Sequence, residues 1–149
     1  MAASRVLVAI SARSIAAVQD VADLLHIRAL VVIAGRGSVS LSELAEFTDL
    51  HLTRASRLCV RLEAKGLIVR AQDPDNRRQL DLTLTTAGRH LVEGVMERRR
   101  EALEQLLLRL RETMTLKQSA ALIPALQAFA AAAGEPTDTD LWGMGWTNA

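Results

Sequence analysis

Tyrosine is absent from this chain of 149 residues, which carries two phenylalanines, two tryptophans and a single cysteine. One cysteine excludes an intramolecular disulfide and any cysteine-rich metal site. Long apolar runs are missing as well: Val6 to Ile10 is far too short for a membrane span or a signal peptide and runs into Ser11-Ala12-Arg13-Ser14. The expected location is therefore the cytoplasm, with no membrane partner. No glycine-rich phosphate loop occurs. The three histidines, His26, His51 and His90, fall on separate predicted helices without a carboxylate or cysteine spacing that makes a metal site. The sequence thus gives no support for an enzyme, a cofactor or a metal.

The net charge of +1 says nothing by itself about nucleic acid, but its distribution does. From His51 to Arg78 there are seven Lys/Arg against three acids, a net of +4. From Glu112 to Ala149 there is one lysine against four acids, a net of −3. A local basic surface of this kind is what a DNA footprint requires.

The basic segment has a readable order. Ser40-Leu41-Ser42-Glu43 is a capping box that opens a short helix with Leu41, Leu44, Ala45 and Phe47 as its apolar positions. Thr48-Asp49-Leu50-His51 breaks it, and a second helix runs from Leu52 to about Lys65. At roughly 100° per residue, Ala55, Leu58, Cys59 and Leu62 share one face of that helix. Thr53, Arg57 and Arg61 lie opposite, flanked by Arg54 and Ser56. Any surface helix can carry arginines on its solvated side, but here the basic face belongs to the second helix of a pair, the element that enters a major groove. It has no aromatic to stack on bases, which argues against single-stranded or loop RNA.

Gly66 ends the helix, Leu67 to Arg70 reads as a strand, and Asp73-Pro74-Asp75-Asn76-Arg77-Arg78 turns the chain. Gln79 to Leu84 alternates as its half-buried antiparallel partner. Arg77 at the hairpin tip suits a narrow minor groove, whose negative potential draws in arginine. The alternative is a solvated tip whose Asp and Arg side chains neutralise one another.

Leu44-Ala45-Glu46, Ser56-Arg57-Leu58, Arg61-Leu62-Glu63-Ala64-Lys65-Gly66-Leu67, Asp75-Asn76-Arg77-Arg78 and Leu84-Thr85-Thr86-Ala87-Gly88, in this order and spacing, resemble the MarR family of transcriptional regulators. The resemblance covers most of the chain. It implies a mainly α (α+β) fold, a winged helix-turn-helix with N- and C-terminal dimerisation helices. It also implies a homodimeric, sequence-specific regulator of a palindromic double-stranded operator, a repressor or an activator, with the repressor as the reading adopted. Release by a small phenolic or anionic ligand or by oxidation is implied too. Carried over residue by residue, Thr53, Arg54, Ser56 and Arg57 belong to the recognition helix, Arg61 contacts phosphate, and Asp75 positions Arg77 in the minor groove beside Arg78. His51 departs from the family, which commonly has serine there. Histidine is a poorer cap, and the reading is divided between a DNA contact and local capping. The resemblance points an effector to the region of His26, Arg28 and the start of the long helix, although His26 also reads as an interior residue. Trp-ended tails are similar to those of actinobacterial members.

The flanks are expected to supply the two-fold pairing. Leu7, Ile10, Ala17, Val18 and Val21 mark a first helix, and Leu25 to Ala34 a second, stopped by Gly35-Arg36-Gly37. Thr85 caps a long helix to about Leu110 with an apolar stripe from Leu91 through Val95, Leu103 and Leu107. Arg98-Arg99-Arg100 within it reads as a solvated face, with a DNA or partner contact as the alternative. Thr115-Leu116-Lys117-Gln118 opens a last helix to Ala133, which Pro124 should kink or split. The boundaries are 1–37 for the N-terminal helices, 38–88 for the winged region, 89–133 for the C-terminal dimerisation helices and 134–149 for the tail. An aromatic ligand pocket would need the tail, which holds Trp142 and Trp146 and is expected to dock. Cys59 reads either as a redox sensor or, from its place on the packing face, as a buried inert thiol. The rival function is a winged-helix protein-interaction adaptor that does not bind DNA.

Overall fold

The computed structural model describes residues 2–18, 20–72 and 80–133. Among these, α2 (Leu24–Arg36) forms the middle of the molecule, burying Ile27, Ala29, Leu30, Ile33 and Ala34. It starts on Asp23, whose carboxylate accepts the His26 amide, and stops at Gly37, where φ is +72°. That helix includes Gly35 and Arg36 and so runs two residues past Ala34, the expected last residue, to stop at the second glycine. The helix before it, α1 (Ala2–Ala16), is shorter than the apolar pattern implied. Ala17, Val18 and Val21 lie outside it, because the chain must reach the extended backbone of the Asp23 cap. It does so through a turn in which the Val21 and Ala22 amides both donate to the Val18 carbonyl.

The Ser40–Glu43 capping box opens α3 (Leu41–Phe47), with the Glu43 carboxylate accepting the Ser40 amide at 2.7 Å. That amide, followed by the Ser40 hydroxyl, holds the Glu43 carboxyl below its usual pKa. The turn to α4 (Leu52–Ala64) uses Asp49 in the left-handed region, φ 54°. It is pinned by buried Thr48, whose hydroxyl donates to the Leu44 carbonyl at 2.6 Å, and by the Leu50 amide on the Ala45 carbonyl at 2.9 Å. Gly66, at φ +68°, closes α4 as expected.

Strands β2 (Ile68–Gln72) and β3 (Leu80–Leu84) pair antiparallel from Ile68↔Leu84 to Gln72↔Leu80. A third strand, β1 (Val39–Ser40), pairs with β3 and makes the order β1-β3-β2. Two residues are too few for a periodicity, so this strand has no sequence signature. Thr85 then caps α5 (Thr86–Arg111), its hydroxyl accepting the Gly88 amide at 3.0 Å and donating to the Gly66 carbonyl at 2.6 Å. The first turn of α5 lies directly on the β2 entry. A Cβ added at Gly88 would stand 2.0 Å from the Leu67 carbonyl oxygen. Further along, Val92 and Val95 complete a core that joins α2, the α4 packing face and the sheet.

The last helix, α6 (Leu116–Ala132), begins on the predicted Thr115–Gln118 capping box and buries no residue. It runs unbroken through Pro124, so the expected split does not occur. Proline removes only one amide donor, and the nearby Ala120, Ala121 and Ala125 are strong helix formers. No described helix is long and apolar enough to cross a membrane.

Candidate nucleic-acid interface

The helix pair places α4 with one face inward and the other bare. Ala55, Leu58, Cys59 and Leu62 are buried, as read from their spacing. His51, Thr53, Arg54, Arg57 and Arg61 are exposed and Ser56 is half-buried. Two other described cations of this region, Arg70 and Lys65, are engaged within the fold. Arg70 Nε lies 3.1 Å from the Glu63 carboxylate, and the Lys65 ammonium donates to the Val21 carbonyl. Among the described residues, Arg54, Arg57 and Arg61 make no ion pair. Three guanidinium groups therefore project from one short helix surface, next to a threonine and a serine hydroxyl.

His51 occupies the N-cap position of α4 with extended backbone, but its side chain makes no capping hydrogen bond. The local-capping alternative thus finds no bond here, and the ring is exposed. Asp75, Arg77 and Arg78 lie outside the described residues, as does Trp142.

Two exposed residues of α4 went unread in the sequence. Leu52, its first residue, is 53% exposed and Val60 is 54% exposed. Val60 follows Arg57 by three residues and Thr53 by seven, which puts it on the same bare stripe. Counting the helix wheel past Arg57 would have found it.

The Arg98-Arg99-Arg100 run divides into three environments instead of forming one solvated face. Arg100 is held by Glu97 at 2.5 Å and Glu104 at 2.7 Å, and the Glu97 hydrogen bond raises its pKa. Arg98 donates to the Gly94 carbonyl at 2.6 Å. Arg99 is half-buried, and that burial lowers its pKa.

The effector candidates do not converge. His26 is 6% exposed and is the third-position partner of the Asp23 cap, its Nδ1 2.7 Å from the Asp23 carboxylate. Burial by itself would raise the Asp23 carboxyl, but the His26 amide and ring outweigh it and hold the pKa low. Arg28 is exposed on another side of α2 and donates to the Phe47 carbonyl at 3.2 Å. Arg36, two turns on, stacks over the Phe47 ring at 3.5 Å. Cys59 is fully buried, and desolvation pushes its thiol pKa up, which disfavours the nucleophilic thiolate.

A family model described as the MarR family matches residues 19–79. The HTH-type transcriptional regulator YxaD of Bacillus subtilis is 38% identical over 71 residues, which are 48% of this chain and 50% of that protein. The match thus spans about half the length of that curated relative. Among solved structures, RV1404 of Mycobacterium tuberculosis is 38% identical and superposes with a TM-score of 0.78, covering 91% of this chain and 90% of that one. Its actinobacterial source agrees with the resemblance drawn from the tail. A MepR variant from S. aureus, solved bound to an oligodeoxyribonucleotide, has a TM-score of 0.60 over 87% of this chain and 91% of its own. At 18% identity that likeness is one of fold alone.

Proposed function

This chain belongs to the MarR family of transcriptional regulators, and on that premise we propose that it is a homodimeric repressor that binds a palindromic double-stranded operator. The observation that carries the DNA reading is the bare face of α4. Three arginines without ion pairs among the described residues stand opposite a fully packed face, on the second helix of the pair. Thr53, Arg54, Ser56 and Arg57 are at base-reading positions, Arg61 contacts phosphate beside them, and His51 adds a contact at the leading end. Arg77, set by Asp75 and flanked by Arg78, is proposed for the minor groove.

Dimerisation is supported by what the subunit leaves uncovered. Leu116 is 91% exposed and Phe129 71%, with Ile123 and Leu126 beside them on α6 and Val6, Leu7 and Val8 on α1. Burying a leucine or phenylalanine side chain is worth about 1.5–3 kcal/mol. A two-fold copy covers such helices and sets two α4 helices about one DNA turn apart. The effector half of the reading, a phenolic or anionic ligand that alters that spacing, rests on family membership.

Selection of bound sequences from random DNA tests the whole reading, with a palindrome as the expected product. Arg57→Ala should then weaken binding by about 1–3 kcal/mol and relax the sequence preference at one position per half-site. Arg77→Ala should weaken it too. With four or five phosphates neutralised per subunit, affinity should fall roughly 10³- to 10⁵-fold from 50 to 200 mM salt. Recovery of no common sequence, with salt-insensitive binding, would favour the protein-interaction adaptor.

A further inference from the structure

We propose that Leu52 and Val60 read thymine, each packing against a base C5-methyl group in the major groove, so that the operator half-site is specified partly by apolar contact. The proposal rests on the DNA-binding reading above and adds two residues to it. Both side chains stand more than half exposed on a helix whose other leucines, Leu58 and Leu62, are buried. The fold therefore makes little use of them. Leu52 is the first residue of α4, at the end that leads into the groove. Val60 lies on the Thr53–Arg57 stripe, one turn beyond Arg57 and directly away from the packed face.

Their surroundings decide what can cover them. Val60 shares the bare side of α4 with Arg57 and Arg61, which are complementary to a polyanion, while Leu52 lies toward the Cys59 side but at the leading end of the helix, so DNA is the partner that both apolar groups meet. A leucine or valine cannot pair with phosphate or with the donors and acceptors of the base edges. The apolar feature that the major groove offers is the thymine methyl, and contact with it distinguishes T from the other bases. Where a guanidinium would be drawn to guanine or phosphate, an aliphatic side chain at the same depth selects thymine.

Replacing thymine by deoxyuridine, one half-site position at a time, removes the methyl and leaves base pairing unchanged. With the full-length dimer and its selected operator, uracil at two positions per half-site should each weaken binding about three- to fivefold, the worth of one buried methyl. Leu52→Ala should abolish the loss at one of these positions and Val60→Ala at the other, while the remaining position keeps its sensitivity. Both residues are exposed, so neither variant should disturb folding, which thermal unfolding checks. If the protein binds its operator with no uracil penalty anywhere, or if the penalties survive both substitutions, the proposal is overturned while the DNA-binding reading stands. If no operator is selected, it is the DNA-binding reading that fails, and the proposal with it.

Discussion

Replacing Gly88 by alanine sets two opposing rules against each other at one atom. Gly88 is the third residue of α5, where helix propensity alone predicts that alanine stabilises by about 1 kcal/mol. Packing predicts the reverse. The new Cβ would lie 2.0 Å from the Leu67 carbonyl oxygen, whereas ordinary contact begins near 3.4 Å, so about 1.4 Å must be made up by backbone movement. The Leu67 carbonyl is not free to move, because it accepts the Thr85 amide at 3.1 Å and sits between the end of α4 and the start of β2. Overpacking of this kind costs about 1–3 kcal/mol. Losing the Thr85 bond adds about 1 kcal/mol. Set against the propensity gain, the net is a destabilisation of about 1–3 kcal/mol.

Urea unfolding at one fixed protein concentration measures this, since the stability of the proposed dimer would depend on concentration. With a slope of about 2 kcal/mol/M, the midpoint should fall by roughly 0.5–1.5 M. Gly94, also in α5, is the internal control. An added Cβ there meets only the Arg98 guanidinium, at 3.2 Å, and that side chain can swing away. Gly94→Ala should therefore be neutral or raise the midpoint by up to about 0.5 M. A Gly88→Ala protein as stable as the parent would refute the close approach of α5 to β2, and with it the account of how the wing is fixed to the long helix.

Phe129→Asp puts a charge at the single aromatic of α6, 71% exposed, and should shift the protein from dimer to monomer in sedimentation; an unchanged dimer would remove α6 from the proposed interface. Cys59, buried and with its thiol pKa raised, should react with a thiol reagent only on unfolding, and Cys59→Ser should bind operator equally with and without peroxide. Peroxide release that depends on Cys59 would revive the redox-sensor reading. His51→Ser supplies the cap that α4 lacks and should stabilise the subunit by about 1 kcal/mol while weakening operator binding. Undiminished affinity would remove His51 from the proposed DNA contacts.

Periodicity and caps made most of this fold legible. The Ser40–Glu43 and Thr115–Gln118 boxes, the Ala55–Leu62 face and Gly66 all stand where their residue types require. What escaped has physical reasons. Strand β1 exists because Val39 and Ser40 pair with Leu82 and Asp81, a tertiary fact with no local pattern. The Asp23–His26 box went unread because histidine is not the usual third-position partner. The end of α1 was overrun because Ala17, Val18 and Val21 continue an apolar pattern into a turn set by the next helix's cap. In the candidate site, the arginines were visible as charge. Leu52 and Val60 were not, because an apolar residue has meaning only once its exposure is known.

Among the described starts of α2 to α6, that of α4 lacks the side-chain bond that the others have, and its place bears on function. α2, α3, α5 and α6 start on Asp23, Ser40, Thr85 and Thr115, each accepting the amide three residues on. α4 starts on His51 and has no such bond, although a cap is worth about 0.5–2 kcal/mol. Departures from local consistency gather where a structure serves something other than its own stability. The four capped helices build the frame of the subunit. The leading end of α4 is the end that the proposed docking drives into the groove, where amides left without a side-chain acceptor face a phosphate backbone instead of water. A cap from within the subunit would compete for those donors. The exposed ring of His51, the arginines without an ion pair among the described residues and the bare Leu52 then share one origin: a helix end completed by its partner.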